Sequence, residues 1–355
     1  PARAAGGRMS RGFQRGVQFV VACVVLAAIA PSPARAQQPA AAQPVTLSVP
    51  GPGSSVSAPL ELAMKLGLDR EQGIALRLRF VDGGGVAIRD LQSGVAGFAV
   101  FGLPAARDAN ARGAGLVALA AVDVLPLYTL VVRADLRGKV RRIADLAGRP
   151  VGIHSNSLSA RTTSQQVLEL LLRHHAVPSP GPKFIAAGQS WDTQSAALIS
   201  GSVDAVMTDE PFATRMALDK LAFTLFSTGD AAAVAALPGA GFLRATLVAR
   251  REQVEASPDL AGRMVATVQA VLRWMAVRAP EEIAEALGLP PGPERRAFVE
   301  TYRKYPRQYS RDGAFSAAQL KETESFYQAA GGVGAKADVV PIETMVVDRW
   351  AGRKP

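Results

Sequence analysis

Two patterns alternate along the chain: short continuous apolar runs, and longer stretches in which apolar residues return every three or four positions. The first reads as buried strand and the second as amphipathic helix. Residues 45–49 (VTLSV) and 75–81 (ALRLRFV) are expected strands, with a helix over 58–66 between them. The same order returns as a strand at 150–153, a helix over about 158–174 and a strand at 183–187. Each second strand enters a Gly-containing loop, Asp82-Gly-Gly-Gly85 or Gly188-Gln-Ser-Trp-Asp192, and the helix that follows stops at Ser-Gly before a third strand. Leu91 to Val100 (LQSGVAGFAV) aligns without a gap to Leu198 to Met207 (LISGSVDAVM). Leu, Ser and Gly are the only shared letters, so the repeated order of elements carries the inference.

Two β-α-β-α-β units imply two parallel sheets with right-handed crossovers, whose ligands bind beyond the carboxyl ends of the strands. The expected fold is α/β, with two lobes built on parallel or mixed sheets flanked by helices. Residues 125–133 (LPLYTLVVR) can carry the chain from one lobe to the other and residues 241–250 (GFLRATLVAR) can carry it back, which makes a two-strand hinge. This sets lobe 1 at residues 45–124 plus 246–355 and lobe 2 at 125–245. The trailing part is helical: Ser257-Pro-Asp opens a helix with Leu260, Met264, Val268, Leu272 and Met275 near one face, a stripe expected to be core.

The first 36 residues read differently. Met9-Ser-Arg-Gly-Phe-Gln-Arg is a basic segment, residues 17–30 are apolar, and Ala34-Arg-Ala36 is a small-x-small cleavage site, the layout of a secretory signal peptide. Residues 37–44 then form a linker. Cys23, the single cysteine, lies inside this leader, so the mature chain is expected to have no disulfide and no thiol nucleophile; Val20-Val-Ala-Cys23 also fits a lipid-attachment box. With 355 residues, 48% of them hydrophobic, the chain can build sizeable cores. Its net charge of +10 shrinks on export, because Arg3, Arg8, Arg11, Arg15 and Arg35 precede Gln37 and leave 35 basic residues against 30 acidic ones, or +5. The remaining basic residues are scattered without interleaved aromatics, which argues against a nucleic-acid partner.

Candidate chemistry gathers in the strand-to-helix loops. Gly51-Pro-Gly53-Ser-Ser-Val56 resembles a dinucleotide phosphate loop, but Val56 replaces the third glycine, Pro52 removes an N–H, and no acidic residue closes the second strand at the required distance. What survives is a helix start with small polar residues and unpaired backbone N–H groups. Ser54, Ser55 and Ser57 are therefore candidate ligand donors, with Ser155, Asn156 and Ser157 as second-lobe counterparts; alternatively they are caps and turn residues. Gly84 and Gly85 allow close backbone approach or simply make a turn. Trp191 and Asp192 follow a strand end, where the indole can wall a cleft or pack between helices. His154 also follows a strand, as a cleft contact or a backbone-bonded loop histidine; Tyr128 lies in the crossing strand, and Phe98 and Phe101 are expected in the core. Gly188-Gln-Ser190-Trp-Asp192 is a near miss for a hydrolase elbow, and His154, His174 and His175 all precede the serine, the wrong order for that triad. No catalytic residue, cofactor or metal site is expected.

Ala144-Asp-Leu-Ala-Gly-Arg-Pro-Val-Gly-Ile153, Ala196-Ala-Leu-Ile-Ser-Gly-Ser-Val-Asp-Ala205 and Asp209-Glu-Pro211 resemble the periplasmic substrate-binding proteins of ABC importers, of the nitrate, sulfonate and taurine type. That group shares its type II bilobed fold with thiamine-pyrimidine synthases. The resemblance runs from about Val45 to Gly288. It implies a monomeric periplasmic protein that closes on a small solute and delivers it to an inner-membrane permease with a cytoplasmic ATPase. A secreted enzyme on the same scaffold is the alternative. The family often has Glu-Pro at the cleft, so the resemblance makes Glu210 a candidate for a ligand amine; otherwise it pairs with Arg161 or Arg215. Gly97 stands where the family usually has Asp, which separates this chain from the common pattern.

Overall fold

The computed structural model describes residues 42–154, 161–235, 237–331 and 340–355. The signal peptide, the lipid-attachment cysteine and the candidates Ser155, Asn156 and Ser157 lie outside the described residues. Among the described residues no helix is long and apolar enough to cross a membrane.

Two five-stranded sheets organise the described chain. The first contains β1 (Gln43–Pro50), β2 (Ile74–Val81), β3 (Phe98–Phe101), β4 (Leu116–Asp123) and β10 (Ala245–Arg250), in the order β2-β1-β3-β10-β4. The second contains β5 (Tyr128–Arg133), β6 (Pro150–Ile153), β7 (Lys183–Ala186), β8 (Ala205–Asp209) and β9 (Ala222–Ser227), in the order β7-β6-β8-β5-β9. Each sheet has three parallel strands followed by one antiparallel strand, β10 in the first and β5 in the second. Both antiparallel strands directly follow a passage of the chain between sheets. The first passage leads from β4 to β5 and the second from β9 to β10.

Sequence pattern accounts for the layering. The inner strands β3 (FAVF) and β8 (AVMTD), and β4 (LVALAAVD) at one edge of the first sheet, are buried along their whole length, as strands covered on both faces must be. The opposite edge strand of the first sheet, β2, and the edge strand β7 of the second carry exposed positions. The repeated Ser-Gly is a helix stop: Gly94 and Gly201 both take left-handed backbone, φ +75° and +73°, after helices Gly84–Ser93 and Trp191–Ile199. The helix expected from about residue 158 begins at Thr163, because Thr162 is extended and its hydroxyl caps the Gln165 N–H.

The trailing helices touch both halves. Val271 and Met275, from helix Pro258–Met275, share an apolar cluster with Ala58, Leu62 and Ala63 of helix Ala58–Lys65. Helix Pro293–Lys304 packs on helix Phe212–Leu218, which follows β8. Phe326, on helix Ala317–Ala329, stacks on Phe242 at 4.1 Å between ring centroids and joins the core that contains Tyr128, Leu130 and Met207 of the second sheet.

Candidate functional site

The carboxyl ends of the parallel strands of the two sheets meet, and glycine makes the meeting possible. A Cβ on Gly51, just after β1, would lie 1.9 Å from the Gln189 carbonyl oxygen; on Gly102, after β3, it would lie 1.9 Å from Thr163 Oγ1. Gly83, after β2, has φ +107° and would place a Cβ 3.3 Å from His154 Cβ. Three strand ends of the first sheet are thus cleared of side chains where the second presses on them. Ser55 N–H also donates to the Glu210 carbonyl at 2.9 Å. The two halves are in contact along these loops.

A buried charge cluster sits where the first passage starts and the second finishes. Asp123 closes β4, Asp209 closes β8, and Arg244 stands immediately before β10. The Arg244 guanidinium, 1% exposed, donates Nη1–H to Asp123 and to Ser55 Oγ (2.8 Å), and Nη2–H to Asp209. Its Cζ lies 4.7 Å from the Tyr128 ring centroid. Burial pushes the Asp123 carboxyl up to about 6, although Arg244 pulls it down. Removing one member of such a cluster leaves an uncompensated buried charge, a loss of about 3–5 kcal/mol.

Asp209 extends this network toward the second half. It accepts a hydrogen bond from Gln189 Nε2 at 2.7 Å, and His154 Nε2 lies 3.7 Å from its Oδ2. His154 Nδ1 is 3.0 Å from Ser164 Oγ, and burial pulls the imidazole below its ordinary value against the opposing charge of Asp209, so it is neutral at pH 7. Among the described residues Gln189 Oε1, His154 Nε2 and Thr163 Oγ1 have no hydrogen-bond partner, although their residues are only 4%, 2% and 3% exposed. These three side chains line a cavity of about 20 Å³ with Gly84, Tyr128 and Arg244. That volume holds about one water-sized group, so an organic solute requires the halves to part.

A larger groove, about 520 Å³, lies outside this contact and is lined by Gly53, Glu61, Trp191, Asp192, Arg215 and Phe298 among others. Trp191 is stacked under Arg215, whose Cζ is 3.8 Å from the ring, and tilts against Phe212.

The sequence-predicted residues are therefore distributed rather than gathered. Gly84 lines the inner cavity, and Gly85 is buried in the first turn of the helix that follows it. Trp191 and Asp192 line the outer groove. Ser54 and Ser57 spend their hydroxyls inside their own loop, Ser54 on Ser57 and Ser57 on the Gly51 and Ser54 carbonyls, whereas Ser55 accepts from Arg244. The Glu210 carboxylate accepts from Thr214 N–H (3.1 Å) and Thr301 Oγ1 (3.3 Å), which turns it toward the trailing helix; burial raises its pKa. Neither Arg161 nor Arg215 is its partner: the first pairs with Glu169 and Asp108, the second with Asp219. Arg244, Asp123, Asp209, Gln189 and Thr163 were not singled out from the sequence. For Arg244, Asp123 and Asp209 the signal was a charge at the end of an otherwise apolar strand, in LVALAAVD, VMTD and FLRATLV. Among the described residues no group of three or more His, Cys, Asp or Glu side chains is placed to hold a metal ion.

Two mixed sheets flanked by helices, joined by two passages and facing each other across their strand ends, define the periplasmic-binding-protein fold. The chain belongs to the NMT1/THI5-like family, whose model matches residues 54–283. Among solved structures it is similar to a protein of Bordetella bronchiseptica RB50, with TM-score 0.77 and 20% identity over 87% of this chain and 95% of that one. The alkanesulfonate-binding protein SsuA from Xanthomonas axonopodis pv. citri, bound to MOPS, aligns with TM-score 0.64 and 18% identity over 88% and 98% of the two chains. The periplasmic nitrate-binding protein NrtA from Synechocystis PCC 6803 aligns with TM-score 0.64 and 12% identity over 86% of each. No curated protein matches the chain by sequence.

Proposed function

We propose that this chain is an exported, periplasmic receptor that captures a small polar or amphoteric organic solute between two lobes and delivers it to an ABC import permease. The lobes comprise residues 45–124 plus 246–355 and residues 125–245, with trailing helices that brace both. One observation carries the reading: buried polar atoms without partners among the described residues, Gln189 Oε1, His154 Nε2 and Thr163 Oγ1, line a cavity between opposed strand ends. Burying such atoms unpaired is costly, and a solute that pairs with them while the halves close recovers that cost. The proposed contacts are these side chains with Ser55 and Gly84, while Trp191 and Asp192 stand in the outer groove. The names of the sulfonate- and nitrate-binding neighbours support receptor function rather than catalysis.

The test is a thermal-shift screen of metabolites on the mature chain, with mass spectrometry of the recovered solute. A receptor gains about 2.7 kcal/mol at a ligand concentration 100 times its Kd and returns the solute unchanged. Steady conversion to a product would identify a secreted enzyme on this scaffold instead.

A further inference from the structure

A cavity of about 490 Å³ lies among the trailing helices and shares no lining residue with the inner cavity or the outer groove. Helix Pro258–Met275 gives it Leu272 and Met275, helix Pro280–Ala286 gives Ile283, and Val124 borders it from the start of the first passage. Leu272, Met275 and Ile283 are buried, so the floor is apolar. Four cations, Arg278, Arg307, Arg311 and Lys354, also line the cavity, and all are exposed. A volume of this size, with an apolar floor and a few polar groups, suits a small organic molecule.

The charges around it are one-sided. Among the described residues no aspartate or glutamate lines the cavity. The carboxylates adjacent in sequence to its lining are already engaged: Asp123 with Arg244, Glu281 with Arg303, Asp312 with Lys354 at 2.6 Å, and Glu282 with the Ala279 N–H at 2.8 Å. Arg278 stands over the Trp274 ring at 5.1 Å. Arg307 and Arg311 form no ion pair and donate no side-chain hydrogen bond among the described residues, so their guanidinium N–H groups are available.

A buried hydroxyl completes the lining. Tyr302 is 8% exposed, and its Oη makes no hydrogen bond among the described residues. The Tyr309 ring lies 5.5 Å from it between centroids, and the Tyr309 hydroxyl spends its own hydrogen on the Ser55 carbonyl at 2.5 Å. Burial raises the Tyr302 pKa well above its ordinary value, so the group stays a neutral O–H donor. A buried donor left unpaired is costly, and an oxygen on a bound molecule recovers that cost.

We propose that this cavity is a second binding site, separate from the cleft between the lobes, for a small amphipathic carboxylate. The apolar body of the ligand lies on Leu272, Met275 and Ile283. Its carboxylate takes hydrogen bonds from Arg307 and Arg311, whose planar N–H pairs match carboxylate oxygens two at a time, and Tyr302 supplies a further donor. This site goes beyond the receptor reading and does not rest on it.

The experiment is calorimetric titration of the mature chain at pH 7.5 and low salt with sodium octanoate, against sodium acetate and octylammonium chloride. The expected result is saturable octanoate binding, about tenfold or more tighter than acetate, and none from octylammonium. Arg307→Gln combined with Arg311→Gln should weaken it by about tenfold or more. Tyr302→Phe should weaken it by about 3- to 10-fold at an unchanged melting temperature, because it deletes a hydroxyl without a hydrogen-bond partner. Ala276→Trp, at an exposed lining position, should block the site, and Thr163→Val, in the inner cavity, should leave it unchanged. Absence of octanoate binding, equal binding of octylammonium, or binding that survives both Ala276→Trp and the arginine pair would overturn the site. Octanoate binding weakened by Thr163→Val would overturn it too, by placing the anion in the inner cavity. Sedimentation with phosphatidylglycerol vesicles that needs both arginines, without octanoate binding, would overturn it in favour of a lipid surface.

Discussion

Substituting Gly51 with alanine tests whether the two halves close as the contact geometry requires. Gly51 lies outside the left-handed region of the backbone, so alanine meets no conformational penalty of its own and slightly restricts the unfolded chain. The obstacle is across the cleft: the new methyl would sit 1.9 Å from the Gln189 carbonyl oxygen and 2.8 Å from its carbon. Both atoms are backbone, so no rotamer change clears them. Reaching ordinary contact at 3.4 Å means moving the loops apart by about 1.5 Å at this point, the difference between the two distances. Overpacking of that kind costs about 1–3 kcal/mol, and here the cost falls on the closed arrangement alone. The closed population, and the apparent solute affinity that depends on it, should fall by about 5- to 150-fold. Small-angle scattering should give a larger radius of gyration for Gly51→Ala than for the parent, with a melting temperature within a few degrees. Unchanged scattering and unchanged affinity would show that this contact does not limit closure.

The remaining predictions concern the cluster and its supports. Asp123, raised to about 6 when folded, takes up a proton on folding between pH 4 and 6, so its contribution to stability grows as pH falls through that window. His154, lowered when folded, does the reverse and withdraws stability below pH 6.5. Melting curves from pH 7.5 to 5 should therefore show a steeper acid loss in Asp123→Asn and a shallower one in His154→Gln; the opposite order would reject the burial argument. Phe326→Ala should cost about 3–5 kcal/mol in denaturant unfolding, because it empties a stacked position in the second core. Trp191→Ala should cost about 1 kcal/mol, the value of its contact with Arg215. If it also abolishes solute binding while Thr163→Val does not, the outer groove is the binding space.

Much of the architecture was legible because it depends on periodicity. Apolar runs located the parallel strands, and the Ser-Gly pair located two helix ends, since a left-handed residue at that point favours glycine. Side-chain roles depend on long-range geometry that periodicity does not carry. Ser54 and Ser57 have the composition of a ligand loop, yet they satisfy each other and the loop carbonyls within a few residues. Arg244 looked like one more charge in a crossing strand. Its role comes from Asp123 and Asp209, which are 121 and 35 residues away in sequence. Gly83 rather than Gly85 makes the close approach, because β2 delivers the earlier glycine to His154.

The position of β10 has a consequence for biosynthesis. Among the described residues β3 and β4 are not bonded to each other; each borders β10, which is β4's only partner strand in the sheet. β4 reads LVALAAVD, and it must wait until Ala245 has been polymerised before any strand can dock beside it. At typical elongation rates that is roughly 6–24 s with an apolar ribbon lacking its neighbour. Unpaired ribbons of this kind are templates for one another, so that interval is when the nascent chain is most exposed to mis-pairing.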